Sequence, residues 1–354
     1  MRKESQAFLE KLIAAPSPSG FEGPAQKLWR ERTAAFADDI RVDVHGNCIA
    51  SLNPEGSPRV MLAGHCDEVG FMVKHISDEG YLYFSSIGGV DIHIAPARRV
   101  VVHSSHGPVS GVIGKKPIHL MDPKERETQK LEWHKLWIDI GARDRKEAEK
   151  RVSLGDPVTF PEGFEVIAGS RVIGRGFDDK AGSFTVSEVL RLLKGVGLKA
   201  AVFGVSTVQE ELGLRGAKTS AHGVDPDVGI AIDLTFASDH PDTDKNQVGD
   251  IGLGRGPVIA RGPNINHRVF DGLIQTASRR KIACQIEPAP RATGTDANVI
   301  QLTRSGVAAG LVSIPNRYMH TPVEMVDLKD IEDAAVLLAA YIESLKPGQD
   351  FTPF

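Results

Sequence analysis

Long hydrophobic runs are missing from this chain of 354 residues, and none approaches the roughly 18 apolar residues of a membrane span. The N-terminal stretch also lacks the apolar core of a signal peptide, because Glu10 and Lys11 interrupt its hydrophobic residues. Cysteine is scarce, and Cys48, Cys66 and Cys284 are odd in number and far apart, which excludes a disulfide framework. Free thiols are typical of a reducing compartment, so we predict a cytoplasmic protein that does not enter the membrane.

An excess of positive charge is also absent, because the formal net charge is -4 at pH 7. The sequence therefore has no basic footprint for nucleic acid. We find no internal repeat and no low-complexity segment. Hydrophobic residues make up 41% of the chain and charged residues 25%, which is ordinary for a globular protein. The length favours about two domains and leaves ample chain for a sizeable core.

Helical and strand-like patterns alternate in two parts of the chain, residues 1–67 and 161–354. The predicted helices cover about residues 4–15, 24–35, 179–193, 268–281 and 327–345, with another beginning near residue 295. The predicted strands cover about residues 40–52 (as a strand, turn and strand), 59–65, 200–208, 227–234, 284–287 and 306–315. Strands that alternate with helices imply a largely parallel sheet with helices on its faces.

The pattern changes between residues 68 and 160. Short strand-like pieces such as "VGFMVKHI", "YLYFSSI" and "RRVVVH" follow one another there, and the one clear helix candidate covers residues 146–151. A mostly-β block inside an α/β chain indicates an inserted domain. We therefore predict one domain formed by residues 1–67 together with 161–354, interrupted by a small β-rich domain of residues 68–160.

Polar residues stand where several of the predicted apolar strands stop, and an acidic pair stands where a predicted helix begins. They are His65 with Asp67, Asp178 with Asp179, Glu210 with Glu211, Asp233, and His320. Ligands of open α/β sheets bind at the carboxyl ends of the strands, so these side chains are expected to converge. Two histidines and several carboxylates suit a divalent transition metal.

Each of these residues also has an ordinary structural interpretation when it is taken alone. A single buried histidine such as His65 is more often a core residue than a ligand. Asp178 with Asp179 is favoured by a helix dipole, and Glu210 with Glu211 could lie in a solvated turn. Their joint occurrence at successive strand ends is what favours a site.

Six motifs carry a more specific signal. In chain order they are "GHCDEVGF", "FDDKAG", "STVQEELGLRGA", "AIDLT", "GTDAN" and "RYMHTPVE". The sequence closely resembles the dinuclear metallo-aminopeptidases of the tetrahedral (TET) type, a family that includes glutamyl and deblocking aminopeptidases and has some members labelled endoglucanase. The resemblance runs nearly end to end and includes "GVIGKKPIHL" and "LWIDIGA" in the inserted block.

The resemblance implies a fold and an assembly. The fold is a doubly wound, mostly parallel α/β sheet flanked by helices and interrupted by a small β-rich, barrel-like domain. The inserted domain of such proteins makes dimer contacts, and dimers commonly assemble into a hollow tetrahedral dodecamer. We therefore expect a homo-oligomer.

The resemblance also implies which residues bind metal. His65, Asp178 and Asp233 match the ligands of one ion, and Asp178, Glu211 and His320 match those of the other, so that Asp178 bridges the two. The cofactors would be two divalent ions per subunit, with zinc, cobalt and manganese all suited to oxygen and imidazole ligands.

The same resemblance implies roles for two further carboxylates and the geometry of one peptide bond. Glu210 matches the general base, and Asp67 matches the carboxylate that orients His65 through its other ring nitrogen. The bond between the bridging aspartate and its neighbour, here Asp178–Asp179, is often cis in the family. Adjacent residues of an extended chain point in different directions, so we expect Glu211 to reach a metal while Glu210 faces the substrate.

The expected reaction is two-metal hydrolysis that removes N-terminal residues from peptides with a free N-terminus. Two alternatives stay open: hydrolysis of another acyl or glycosidic bond, as the endoglucanase label suggests, and a cage-forming protein without catalysis. A glycosidase normally uses two carboxylates and no metal, which argues against the first alternative. A complete ligand set beside Glu210 argues against the second.

Two glycine-containing stretches are further candidates for a binding role. "RVIGRGFDDK" lacks the spacing of a dinucleotide-binding loop, and its acidic pair would repel phosphate. "ATGTDAN" is interpreted either as a helix cap or as a part of the substrate pocket.

Overall fold

The computed structural model describes residues 1–128 and 130–353 of the chain. The strands of these residues form an eight-stranded sheet, a closed six-stranded barrel and a three-stranded sheet. The α-helices of the described residues are α1 (Lys3–Ala14), α2 (Gly23–Thr33), α3 (Pro123–Thr128), α4 (Arg145–Glu149), α5 (Phe177–Leu193), α6 (Arg215–Val224), α7 (Lys245–Val248), α8 (His267–Arg280), α9 (Ala297–Ile300) and α10 (Leu328–Ser344).

The strands are short, as is usual for a domain of this size. They are β1 (Asp39–Val42), β2 (Cys48–Leu52), β3 (Arg59–His65), β4 (Gly70–Ile76), β5 (Leu82–Ile87), β6 (Arg99–Ser104), β7 (Gly107–Gly114), β8 (Trp137–Asp139), β9 (Pro157–Thr159), β10 (Glu165–Ala168), β11 (Arg171–Gly174), β12 (Ala201–Thr207), β13 (Val228–Phe236), β14 (Val258–Arg261), β15 (Gln285–Pro288), β16 (Ala308–Asn316) and β17 (Glu324–Asp327).

The large sheet has the order β1-β2-β12-β3-β13-β16-β14-β15. Its four central strands, β12, β3, β13 and β16, run parallel, whereas β2 joins β12 and β14 joins β16 in the antiparallel sense. The central strands are almost wholly buried, which explains their continuous apolar sequences. The protein thus has the predicted class, a doubly wound and mostly parallel sheet flanked by helices, with antiparallel strands toward its edges.

Helix α5 packs across this sheet against β3 and β13, and it is covered on its other side by α1 and α10. The approach to β3 is so close that a Cβ on Gly64 would lie 2.4 Å from the backbone of Gly182. Only glycine permits this distance, and it brings the start of α5 beside the end of β3. Helix α1 contributes the apolar stripe that its sequence predicts, formed by Phe8, Leu9, Leu12 and Ile13.

The barrel closes in the order β4-β5-β8-β7-β6-β9 and occupies the chain between Gly70 and Thr159. It has a hydrophobic core of its own, in which the ring of Phe71 meets those of Phe84 and Phe160 edge-on at centroid distances of 5.1 and 5.4 Å. Because the barrel is closed, each of its strands has a neighbour on both sides and the barrel has no edge strand. In the chain, the β-barrel therefore lies between β3 and β12, two neighbouring strands of the large sheet.

Local differences from the sequence-based expectation are concentrated in short elements. Helix α6 and strand β14 were not predicted from the sequence. The small sheet β10-β11-β17 was not predicted either, although it proves important for the site described below. Asp327 caps α10 by accepting a hydrogen bond from the Lys329 N–H at 2.9 Å. None of the helices in the described part of the chain combines the length and the apolar character that a membrane crossing requires.

Candidate metal centre

Five of the polar residues selected from the sequence meet at one edge of the large sheet. His65 is the last residue of β3, Asp233 lies within β13, and Asp178 lies at the start of α5. Glu211 follows β12, and His320 lies between β16 and β17. The register that pairs Thr207 with His65 aligns the ends of β12 and β3, so the segments that follow them begin side by side.

These five residues form two groups that could each hold a metal ion. His65, Asp178 and Asp233 make one group, and Asp178, Glu211 and His320 make the other; within each, the potential ligand atoms lie within 4.8 Å of one another. Asp178 belongs to both because its two oxygens face different histidines. Its Oδ1 lies 3.3 Å from His65 Nε2, and its Oδ2 lies 3.3 Å from His320 Nε2.

Glu210 stands beside this cluster but belongs to neither group. Its Oε2 lies 3.7 Å from His65 Nε2, and its side chain lines a cavity of about 410 Å³ that opens onto both groups. A larger cavity of about 950 Å³ lies at the other end of the strands, near Pro58 and Asp227, and contains none of the residues selected from the sequence. The smaller cavity is therefore the one connected to the polar cluster.

Glu210 and Glu211 diverge for a reason other than the expected one. They do not lie on an extended chain but in a turn that follows β12, after Gln209 at φ 54°. The Asp67 carboxylate holds this turn, because it accepts hydrogen bonds from the backbone N–H groups of Glu210 and Glu211 at 3.0 and 3.2 Å. It also accepts one from the Ser19 hydroxyl at 2.7 Å.

Asp67 contacts His65 mainly through its backbone. The Nδ1 atom of His65 lies 3.0 Å from the Asp67 carbonyl oxygen and 3.5 Å from the carboxylate. A carbonyl group at this position fixes the ring and directs Nε2 toward Asp178 and Glu210.

Two other buried carboxylates hold the backbone of the cluster. Asp179 is fully buried and accepts a hydrogen bond from the His65 N–H at 3.0 Å. Glu324, at the start of β17, accepts from the N–H groups of His320 and Asp178 at 2.9 and 3.0 Å. The pairing of Glu324 with Gly174 in the small sheet places it there. The Asp178–Asp179 peptide bond is cis, as expected.

The barrel also reaches the cluster. The carbonyl oxygen of Gly89, which follows β5, lies 2.9 Å from His320 Nδ1. This contact leaves Nε2 of the same ring to face Asp178 and Glu211. The inserted block therefore contributes a backbone group that orients one of the candidate ligands.

Negative charge is concentrated in the cluster, and the pKa values of its members reflect this. Burial raises the pKa of Glu210 to about 10, with a further contribution from Asp233. Burial and then the charge of Asp178 raise the pKa of Asp233 well above its ordinary value. For His320, burial lowers the pKa, but Asp178 and Glu211 outweigh this effect and raise it to about 11. All three shifts show that the cluster favours additional positive charge.

A further observation indicates that the residues of this cluster suit a divalent metal ion. Glu211 Oε1 is buried and accepts no hydrogen bond from residues 1–128 and 130–353, although it lies 3.1 Å from His320 Nε2. A buried carboxylate oxygen without a donor is unfavourable unless a cation compensates its charge. Imidazole and carboxylate ligands suit zinc, cobalt and manganese alike, so the ligand set does not select one of them.

Glu324, Asp179 and Gly89 are residues near the cluster whose roles are not apparent from the sequence. Glu324 and Asp179 lay within quoted motifs, and their burial is the property that the sequence did not reveal. The "ATGTDAN" stretch contributes Thr293 and Thr295 to the cavity wall, while Asp296 accepts a hydrogen bond from Thr207 at 2.7 Å.

Comparison with known proteins gives a consistent result. The profile of the M42 glutamyl aminopeptidase family matches residues 46–337. The lysyl aminopeptidase of Pyrococcus furiosus is 38% identical over 348 residues, which cover 98% of this chain and 99% of that protein.

Solved structures of similar proteins superpose on nearly the whole chain. A TET aminopeptidase from a marine-sediment Thaumarchaeota archaeon superposes with a TM-score of 0.92 at 36% identity, covering 97% of this chain and 96% of its own. The Pyrococcus horikoshii TET1 peptidase, described as assembling into a tetrahedron or a large octahedral shell, gives a TM-score of 0.86 at 32% identity and coverages of 96% and 100%. A Thermotoga maritima protein described as an endoglucanase gives 0.77 at 30% identity, with coverages of 95% and 96%. The chain belongs to the M42 glutamyl aminopeptidase family.

Proposed function

We propose that this protein is a metal-dependent aminopeptidase that removes N-terminal residues from peptides, with Glu210 as the general base. The observation that carries the proposal is the arrangement around Asp178. Two groups of candidate ligands share this residue, and Glu210 stands next to them without belonging to either. A carboxylate in that place is free to move protons while its neighbour Glu211 holds a cation.

His65, Asp178 and Asp233 would hold one divalent ion, and Asp178, Glu211 and His320 the other. Two cations held by these residues would supply Lewis acidity for the scissile carbonyl and would lower the pKa of an attacking water. Zinc and cobalt are the first candidates, and manganese is a further one.

Glu210 takes a proton from the attacking water and passes it to the leaving amine. Burial raises the pKa of Glu210, and cations beside it would lower that pKa toward the range in which a carboxylate accepts a proton near neutral pH. Asp67 positions this base, because its carboxylate holds the N–H group of Glu210.

We propose a homo-oligomer built from dimers, with a tetrahedral dodecamer as the expected form. The TET1 peptidase, which superposes on nearly the whole chain, supports this. In this assignment residues 1–67 and 161–354 form the catalytic domain, and residues 68–160 form the domain that makes dimer contacts. A cytoplasmic location agrees with three cysteines that remain free thiols.

Hydrolysis of a glycosidic bond is less well supported. One similar structure carries the endoglucanase description, but glycosidases normally act through two carboxylates without a metal. Two histidines at the centre of this cluster have no part in such a mechanism. The proximity of Glu210 to a full set of candidate ligands likewise argues against a cage without catalysis.

Two neighbouring substitutions test the proposal. Glu210→Gln keeps the shape of the side chain but cannot accept a proton as a base, so the variant should bind both metals and lose about 10²- to 10⁴-fold in turnover. Glu211→Gln replaces an anionic ligand by a neutral one, so it should lose one metal, and excess metal should partly restore activity. Metal content and turnover of an aminoacyl p-nitroanilide measure both effects. If Glu210→Gln loses metal while Glu211→Gln retains it, the two roles are reversed.

A further inference from the structure

The turn that carries Glu210 is held by two carboxylates, and the second of them has no part in the proposed mechanism. Asp67 accepts hydrogen bonds from the N–H groups of Glu210 and Glu211. The preceding N–H group, that of Gln209, donates to Glu22 Oε1 at 3.2 Å. Three successive backbone N–H groups of the turn are thus held by two carboxylates from the N-terminal part of the chain.

The Glu22 carboxylate does not serve the helix that its residue begins. Glu22 is the N-cap residue of α2, yet its side chain forms no capping hydrogen bond. Oε1 instead accepts hydrogen bonds from the N–H groups of Gly20 at 2.7 Å and Gln209 at 3.2 Å. The residue is 7% exposed, and burial raises its pKa, an effect to which the charge of Asp67 contributes. A helix cap, the usual role of an acidic residue at this position, is therefore excluded for this side chain.

Gln209 needs an external constraint because of its backbone conformation. Its φ of 54° lies in the left-handed region, which a residue with a Cβ adopts only at a cost in energy. Such a conformation persists where neighbouring groups fix it. On the carbonyl side of the turn, the Glu210 oxygen accepts hydrogen bonds from the N–H groups of Gly213 and Leu214 at 2.8 and 2.9 Å. On the N–H side, Glu22 supplies the acceptor for the strained residue itself.

The segment that links α1 to α2 holds Glu22 in place. The Glu68 N–H donates to the Ser17 carbonyl oxygen at 3.0 Å, and the Ser19 N–H donates to the Glu68 carbonyl oxygen at 3.3 Å. The Ser19 hydroxyl in turn donates to the Asp67 carboxylate at 2.7 Å. One short segment therefore fastens both carboxylates that hold the turn, which fixes their positions relative to each other.

We propose that Glu22 is a positioning residue for the general base and keeps Glu210 beside the metal groups by holding the N–H group of Gln209. This inference rests on the proposed function, because it takes Glu210 to be the base. Glu22 acts as a hydrogen-bond acceptor and not through its charge, since a single oxygen, Oε1, accepts the hydrogen bonds from both Gly20 and Gln209. A glutamine can therefore replace it, whereas an alanine cannot.

The experiment measures kcat, KM and metal content at saturating metal, with the aminoacyl p-nitroanilide that the wild type cleaves best in a panel. Glu22→Ala removes the acceptor, so kcat should fall about 10- to 100-fold while KM and metal content stay within about threefold, because a displaced base impairs turnover and not binding. Glu22→Gln keeps an acceptor oxygen, so its kcat should stay within about threefold of the wild type. If Glu22→Ala does not fold, Glu22→Met, which fills the space and has only a weak acceptor, takes its place.

Asp330→Ala is the matched control. The buried Asp330 carboxylate also accepts hydrogen bonds from two backbone N–H groups, those of Gly254 and Gly256, and contacts none of the candidate ligands. This variant should lose folding stability, measured by urea unfolding, and keep the kcat of the wild type. A role of Glu22 in folding alone would give the same result for Glu22→Ala.

Each result has a distinct consequence. An unchanged kcat in Glu22→Ala overturns the inference, and so does an equal loss of kcat in Glu22→Ala and Glu22→Gln, because the charge would then matter and not the acceptor. A loss of metal in Glu22→Ala that excess metal reverses would assign the effect to Glu211 and overturn it as well, as would an equal loss of kcat in Asp330→Ala. If the metal-loaded wild type cleaves no substrate of the panel, the proposed function itself fails; an active wild type with an equally active Glu22→Ala refutes only the role of Glu22.

Discussion

Replacing Glu324 with glutamine should weaken metal binding at the group formed by Asp178, Glu211 and His320. The Glu324 side chain is 1% exposed, and its two oxygens accept hydrogen bonds from the N–H groups of His320 and Asp178 at 2.9 and 3.0 Å. A glutamine amide has one acceptor oxygen, so one of these two N–H groups must lose its acceptor. Either loss releases the backbone of a candidate ligand.

The size of the effect follows from the bond that is lost. A buried N–H group that is left without an acceptor costs about 1–3 kcal/mol, so the variant should be destabilised by roughly that amount. Residues that orient metal ligands usually contribute about 10- to 100-fold in metal affinity. We therefore expect a dissociation constant about 10- to 100-fold higher for the ion held with His320, which corresponds to about 1.4–2.7 kcal/mol.

The chain offers a matched control in Asp330. This aspartate is also fully buried, and its carboxylate accepts hydrogen bonds from the N–H groups of Gly254 and Gly256, both at 2.7 Å. Asp330→Asn should lose a similar amount of folding stability without weakening metal binding, because it holds none of the candidate ligands. Urea unfolding measures the first quantity, and competition with a chromophoric chelator measures the second.

The comparison between the two variants tests whether Glu324 orients the candidate metal ligands or only stabilises the fold. If Glu324→Gln binds both metals as tightly as the wild type while it loses the same stability as Asp330→Asn, Glu324 is a structural residue only. If both variants lose metal affinity equally, the effect comes from general destabilisation and the reasoning about ligand orientation is refuted.

Three further outcomes are expected. Metal-free protein should lose folding stability as the pH rises from about 4.5 to about 11. Glu210 and His320 have pKa values of about 10 and 11 in the folded state, above their ordinary values of 4.5 and 6.5, so the folded state binds more protons than the unfolded state. Their contributions to stability are complete below the ordinary values and are lost as the pH rises through the folded ones. Urea unfolding with and without divalent metal checks this trend, which saturating metal should reverse. Gly89→Ala places a Cβ 3.3 Å from His320 Nδ1 and should weaken metal binding several-fold in a chelator competition, unlike Gly163→Ala, whose Cβ meets nothing within 4 Å. Replacing residues 68–160 by a short linker should lower the number of subunits per particle, obtained by dividing the light-scattering mass by the mass of the shortened chain. A pH-independent stability would contradict the first of these predictions, an unaltered affinity the second, and an unaltered number of subunits the third.

The main elements of the fold could be predicted because their sequences are locally consistent. Strand β3 was predicted with its observed bounds, and the helix that begins near Asp179 corresponds to the regular part of α5. The five candidate ligands could be selected because parallel strands end at one edge of a sheet, so the positions of polar residues after apolar runs carry spatial information. The resemblance then assigned them to two overlapping groups.

Helix α6 shows why other elements could not be predicted. Its sequence contains Gly216 and Gly223 and begins after a turn, so intrinsic propensity disfavours a helix there. Tertiary packing decides instead: a Cβ on Gly216 would lie 2.4 Å from the Val208 carbonyl oxygen, so the helix forms where only glycine can pack.

The residues that hold the ligands in place could not be inferred from the sequence, because their contacts join positions that are far apart in the chain. The contact between Gly89 and His320 joins residues that are 231 positions apart, and Glu324 reaches Asp178 across 146 positions. The periodicity of a sequence predicts local secondary structure and does not predict contacts over such separations.

The carboxylates that surround the cluster show why its folding and its metal binding must be coupled. Asp67, Asp179 and Glu324 hold backbone N–H groups of ligand-bearing residues, a task that a neutral amide could perform only in part, with one acceptor oxygen instead of two. They thereby add negative charge next to candidate ligands that are themselves acidic. Burial and then Asp233 raise the pKa of Asp179, and burial and then Asp178 raise that of Glu324. Bound cations would offset these charges, so the same groups that orient the ligands also make the folded state depend on metal.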